Sequence, residues 1–345
     1  MEKRSLGNGG LTVAALSLGC MGYGKARELQ DRTQMIALIR KSVERGIDFF
    51  DTAESYGPLT NEDMVGEALM PLRDQVKIAT KFGWDIDPDT GVHHGGVNSK
   101  PVHIKAAVDG SLRRLKTDYI DLYWLHIWDQ ITPVEEVMRA FDDLVRQGKV
   151  LYVGVSDAPA WWISRANTIA ELRGWSPFVG LQIEYSLIER TIERELLPAA
   201  KALGLTITAW SPLAGGVLTG KYASGEAKDS RYSTEMMKQW LPEQTRAARI
   251  VDALQNVSKQ TGCSKAQIAL AWLLHRSVPV IPIVGARKLT QLEDNIASLT
   301  LSLTPDQLAS LDEASKIELG FPHHFYAQEM VRNFVYAGFG DRIIL

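Results

Sequence analysis

The chain has 345 residues, 45% hydrophobic and 23% charged, with a formal charge of −3 and a pI near 6.2. This composition excludes a disordered chain and leaves no basic face for nucleic acid or anionic lipid. No apolar run approaches the ~20 residues of a membrane span, and MEKRSLGNGG at the start lacks the apolar core of a secretory signal. Two cysteines, Cys20 and Cys263, make neither a disulfide framework nor a thiolate metal site. The expectation is a compact protein of the reducing cytoplasm, without metal, nucleic-acid partner or membrane contact, and monomeric by default.

Short β-branched or aromatic runs alternate with amphipathic stretches of about 12–16 residues. The predicted strands are Val13–Ser17, Gly46–Asp51, Val76–Lys81, Ile120–His126, Leu151–Ser156, Val179–Tyr185, Leu205–Ser211 and Val278–Val284. The predicted helices are Thr33–Arg45, Asn61–Leu72, Val102–Leu115, Pro133–Gln147, Ala160–Leu172, Ile192–Leu203, Ser264–His275 and Leu289–Ser298. Thr132-Pro133-Val134-Glu135 and Thr304-Pro305-Asp306-Gln307 read as capping boxes with proline in the first turn. Gly148 and Gly204 sit where helices should stop. The strands are apolar on both faces, as in a parallel sheet covered by helices. Eight such units argue for an α/β fold, a (β/α)8 TIM barrel, with an open doubly wound sheet as the second choice.

A barrel of this kind does chemistry where strands end. Those ends carry Asp51, Lys81, His126, Ser156-Asp157, Gln182, Trp210-Ser211 and Gly285-Ala286-Arg287. Several tempting motifs fail. Gly7-Asn8-Gly9-Gly10 is not a dinucleotide fingerprint, and Gly215…Gly220-Lys221 has Tyr222 where a Walker loop needs Ser or Thr. A glycine-rich turn can still bind phosphate through its backbone N–H groups. Gly154-Val155-Ser156-Asp157-Ala158 lacks the second glycine of a nucleophile elbow. His93-His94 and His323-His324 are adjacent pairs, which chelate poorly and suit exposed loops. A glycosidase pair would have to be drawn from Asp51, Asp129, Asp157 and Glu184.

Asp51, Tyr56, Lys81 and His126 make a stronger set. A phenol titrates too high to act near neutrality. A lysine ammonium beside it would favour the phenolate, an aspartate would keep that lysine charged, and a histidine could orient a substrate oxygen. Such a set suits protonating a carbonyl oxygen as hydride reaches its carbon. Each residue alone has a plainer reading as a pocket tyrosine, a turn cap, a strand-end charge or a core histidine.

Asp51-Thr52-Ala53-x-x-Tyr56-Gly57, Lys81-Phe82 and Asp118-Tyr119-Ile120-Asp121-Leu122-Tyr123-x-x-His126 together resemble the signature segments of the aldo-keto reductases, as does Leu18-Gly19-Cys20-Met21-Gly22. The resemblance covers most of the chain. It implies a barrel that binds NADP(H) extended, Tyr56 as general acid tuned by Lys81 and Asp51, and His126 orienting the carbonyl. It assigns Cys20, Met21 and Asp51 to the cofactor, with Ser156, Asp157 and Gln182 at the nicotinamide carboxamide. Asp157 stands where many members have asparagine, which alters that contact. Trp210 would stack on the ring. The loop with Ser211, Leu213, Gly215, Leu218, Lys221 and Arg231 would wrap the pyrophosphate. Gly285, Arg287, Gln291 and Asn295 would meet the adenosine end, Arg287 pairing with a 2′-phosphate.

Substrate walls are expected from Tyr23, Trp84 and Trp128 and from Phe321, Phe325, Tyr326 and Phe334 of the C-terminal tail, which suits a flat or apolar carbonyl substrate. The leading expectation is a carbonyl reductase. A reductase-like channel subunit that senses redox state through NADP(H), and a barrel hydrolase, are the alternatives. A barrel needs about 250 residues. The rest is assigned within one domain to an N-terminal hairpin near Asn8-Gly9, a loop at about 213–240, a helix at about 242–261 and a C-terminal substrate loop at about 318–345.

Overall fold

The computed structural model describes residues 1–23, 31–57, 59–222, 241–339 and 342. Arg231 and most of the 213–240 loop lie outside the described residues.

The chain opens with an antiparallel hairpin, β1 (Lys3–Ser5) against β2 (Thr12–Ala14). Leu6 and Leu11 on its turn are buried against Phe49, Leu122, Trp124 and Ile281. The Gly7 N–H donates to the Thr206 hydroxyl at 2.8 Å, and Arg4 Nη1 to the Val280 carbonyl at 2.6 Å. Phe49, Thr206 and Val280 each open a strand, so the hairpin plugs the N-terminal end of the barrel. Chemistry is left to the other end.

The barrel itself uses β3 (Ser17–Gly19), β4 (Phe49–Asp51) and β5 (Lys77–Phe82), then, after a small hairpin of β6 (Trp84–Ile86) and β7 (His93–Val97), β8 (Ile120–Leu125), β9 (Val150–Ser156), β10 (Phe178–Glu184), β11 (Thr206–Trp210) and β12 (Val280–Val284). The eight barrel strands pair in parallel and close on themselves, β12 meeting β3 and β9 meeting β10. Their side chains are almost all buried, which is why the sequence runs read apolar on both faces. Trp124 fills the interior. It fits because Gly154 on the next strand has no Cβ, where one would sit 2.3 Å from the indole carbons.

The helices are α1 (Arg32–Glu44), α2 (Thr60–Leu69), α3 (Pro101–Leu115), α4 (Val134–Arg146), α5 (Ala160–Arg173), α6 (Leu196–Leu203), α7 (Gln244–Thr261), α8 (Lys265–Leu274), α9 (Leu289–Ala297) and α10 (Pro305–Ser315). Two short tail helices follow, α11 (His323–Tyr326) and α12 (Glu329–Val335). In α4 the buried Val134, Val137, Met138, Phe141 and Leu144 recur at helical spacing on one face. Each such side chain stabilises the docked helix by roughly 1.5–3 kcal/mol.

Four details depart from the sequence reading. The run Val13–Ser17 is divided between hairpin strand β2 and barrel strand β3. Thr132 does not cap α4: its N–H and hydroxyl both donate to Asp129, at 2.9 and 2.6 Å, and Pro133 takes the cap position without a side-chain bond. The capping box at Thr304–Gln307 is present. His93 and His94 lie exposed in strand β7 rather than in a loop. Phe321, Phe325, Tyr326 and Phe334 are exposed, and the ring contacts of Phe321, Phe325 and Tyr326 are with one another and His324.

Candidate active site

The β4–β5 ladder continues past the strand. Thr52 N–H donates to the Ala79 carbonyl at 2.9 Å, and Glu54 N–H to the Lys81 carbonyl at 3.3 Å. This continuation lays the loop bearing Tyr56 along β5. In the same way His126 N–H donates to the Phe82 carbonyl at 2.7 Å, carrying the β5–β8 pairing one residue beyond the strand. Local backbone bonds therefore bring Asp51, Tyr56, Lys81 and His126 to one end of the barrel.

Lys81 is wholly buried, and its ammonium donates to Asp51 Oδ1, to the Thr52 carbonyl at 2.8 Å and to the Tyr56 hydroxyl at 3.2 Å. Burial works against its charge, but Asp51 and Tyr56 outweigh it and hold the ammonium above the ordinary lysine range. Gln182 Nε2 donates to the second Asp51 oxygen at 2.9 Å. The His126 ring stands edge-on to Tyr56 with centroids 5.8 Å apart, and Trp84 packs edge-on to His126 at 6.2 Å. Burial first, then the Lys81 charge, push the His126 imidazole well below its usual value, so it is neutral. Its buried Nδ1 has no partner among the described residues.

Around this centre Ser156 and Gln182 pair across adjacent strands, and Trp210 Nε1 donates to Asp157 Oδ1 at 3.2 Å. Asp157 adopts φ +46°, a conformation that Asp and Asn tolerate better than most residues. It opens to solvent at the mouth, while the atoms packed beneath it strip hydration from its carboxyl. That loss pushes the carboxyl up to about 6, against hydrogen bonds from Trp210 and Ser156 and the Lys81 charge. Water still reaches it, so the carboxylate dominates at pH 7.

After β11 the chain turns through positive φ at Ser211, Ala214, Gly215 and Gly216. Gly216 lies so close to Lys221 that a Cβ would sit 2.5 Å from Nζ. After β12, Gln291 Oε1 accepts the Arg287 N–H at 2.9 Å and Asn295 Nδ2 donates to the Gly285 carbonyl at 3.5 Å, so both brace the turn that carries Arg287. Met21 is exposed and Leu213 half-buried, whereas the side chains of Cys20, Tyr23 and Leu218 are enclosed. The Tyr23 hydroxyl donates to the Ala286 carbonyl at 2.8 Å, tying the β3 end to the β12 end. Trp128 is half-buried and packs edge-on to Trp161 at 5.5 Å.

Sequence reasoning missed three buried polar residues beneath the site. Asn61 Nδ2 donates to the Cys20 and Tyr23 carbonyls, at 2.7 and 2.5 Å. Glu62 accepts from Thr80 at 2.5 Å and from Arg114 Nε at 2.7 Å. Glu54 accepts from Gly83 N–H at 3.3 Å. The available signal was polar residues on a helix face and loop that are otherwise buried.

A phenol, an ammonium and a carboxylate thus lie in contact at the strand ends of a closed parallel barrel, an arrangement able to exchange a proton with a carbonyl or alcohol oxygen. The chain belongs to the aldo/keto reductase family, whose family model matches residues 15–316. It is 35% identical over 328 residues to the Saccharomyces cerevisiae protein named "Putative aryl-alcohol dehydrogenase AAD14", covering 91% of this chain and 86% of the yeast protein. The family generally works with a nicotinamide cofactor, and the residues present fit one. The half-buried Trp210 indole offers a ring platform, the left-handed turn at 214–216 carries Gly216 where a Cβ would run into Lys221, and Lys221 and Arg287 supply cations. Among the described residues no group of three or more His, Cys, Asp or Glu could hold a metal, and no helix is long and apolar enough to cross a membrane.

Proposed function

We propose that this chain reduces an aldehyde or ketone to the alcohol with NADPH, Tyr56 acting as proton donor. The bound nicotinamide supplies the hydride. Ser156, Asp157 and Gln182 would hold its carboxamide and Trp210 its ring plane, while the turn from Ser211 to Leu218, with Lys221, would hold the pyrophosphate. Arg287, whose backbone N–H is held by Gln291 after β12, would pair with a 2′-phosphate through its planar fork. Neutral His126 can donate a hydrogen bond to the carbonyl oxygen as Tyr56 gives up its proton. The Lys81 ammonium then stabilises the phenolate, and Asp51 keeps that ammonium in place. The aromatic rim of Trp84 and Trp128 favours a flat, apolar substrate, in keeping with the yeast relative's name. The same reading takes the chain as one barrel domain working in the reducing cytoplasm.

The observation that carries this reading is the Lys81 ammonium seated between Asp51 and the Tyr56 hydroxyl. A panel of aromatic and aliphatic aldehydes with NADPH and NADH side by side tests it. Turnover should favour NADPH, and Tyr56→Phe should lower kcat by roughly 10²–10⁴ while NADPH binding persists. Normal turnover by that variant would remove the tyrosine from the reaction. Arg287→Ala should weaken NADPH more than NADH.

A further inference from the structure

Asp157 is charged, open to the barrel mouth and fixed there by the Trp210 indole, at 3.2 Å from Nε1 to Oδ1. Among the described residues it forms no salt bridge. The nearby Lys81 ammonium is committed to Asp51, the Thr52 carbonyl and Tyr56. Its negative charge is therefore uncompensated by contact, in a mouth walled by protein, where a charge acts more strongly than in bulk water.

The two oxidation states of a nicotinamide ring differ by one unit of positive charge. We propose that Asp157 determines which of them the chain retains: its carboxylate, held beside the Trp210 platform, favours the cationic oxidised ring over the neutral reduced one. This rests on the reading above, in which Ser156, Asp157, Gln182 and Trp210 receive the nicotinamide. An asparagine in the same place could accept the same indole hydrogen bond, but it would carry no charge. The consequence for reduction is twofold. Positive charge grows on the ring as hydride leaves, so the carboxylate assists that step, and the same attraction slows release of the oxidised cofactor.

The test compares the native chain with Asp157→Asn at pH 8, where the carboxylate is ionised. Binding of NADP⁺ and NADPH is measured separately by quenching of tryptophan fluorescence, with 2′,5′-ADP as a probe lacking the nicotinamide. A charge at this range in a partly wet site is worth about tenfold in binding. The ratio of Kd for NADPH to Kd for NADP⁺ should therefore fall about tenfold in Asp157→Asn, with 2′,5′-ADP affinity unchanged. If both constants move by one factor, or neither moves, the charge does not discriminate and the proposal is overturned. Trp210→Leu separates this failure from failure of the underlying reading. If it weakens both dinucleotides but not 2′,5′-ADP, the nicotinamide does lie here and only the role of Asp157 falls. If it leaves all three unchanged, the ring lies elsewhere and both readings fall.

Discussion

The Lys81 ammonium stands 3.2 Å from the Tyr56 hydroxyl while its remaining bonds hold it to Asp51 and to the Thr52 carbonyl. A buried ammonium is tolerable only because those oxygens replace its water. The phenol is thus attached to a charge that cannot move away.

Asp51→Asn tests that dependence. The variant leaves Lys81 buried without its carboxylate, so stability should fall by about 3–5 kcal/mol. Chemical denaturation measures the loss, and aldehyde turnover should fall with it. Turnover at the native level in the folded variant would show that the ammonium works without Asp51.

His126 should stay neutral through the physiological range, since burial and the Lys81 charge both oppose its protonation. The imidazole resonances followed by NMR should show no titration between about pH 6 and 8. A midpoint near 6.5 or above would contradict its enclosure beside a charged lysine.

Glu54 is fully buried, and its Oε2 has no partner among the described residues. Burial, reinforced by Glu62, pushes its carboxyl well above the ordinary value. In the unfolded chain it gives up its proton near 4.5, whereas the folded state keeps it to higher pH. Its contribution to stability is therefore fully present below about 4.5 and is lost as pH rises toward the folded value, by at most about 1.4 kcal/mol per pH unit. Glu54→Gln keeps the neutral shape, so its Tm should gain on the native chain between pH 4.5 and 8. Parallel Tm curves would place the buried proton elsewhere.

Gly154→Ala should cost about 1–3 kcal/mol or more, because the new Cβ would meet the Trp124 ring at 2.3 Å. Gly22→Ala, where a Cβ meets open space, should change stability by less than about 0.5 kcal/mol. Equal Tm for the two variants would mean that Trp124 can leave the barrel interior.

Much of this protein is legible in one dimension. Alternating apolar runs and amphipathic stretches follow from backbone geometry, so eight strands and their helices can be read from residue spacing. Because strands end where apolar runs end, Asp51, Lys81 and His126 stand out as polar residues closing them. The division of the run beginning at Val13 between two sheets could not be read, because small apolar residues carry no period that marks where a chain leaves one sheet for another. Thr132 misled because the competing acceptor, Asp129, lies upstream and only the folded loop brings it within reach. The sequence by itself determined the residue types and their order around a barrel. Only the tertiary structure decided that Lys81 is enclosed, that Gln291 and Asn295 brace a turn, and that Asp157 keeps its charge at the mouth. Those outcomes depend on burial and on partners distant in the chain, and both come into being when the barrel closes.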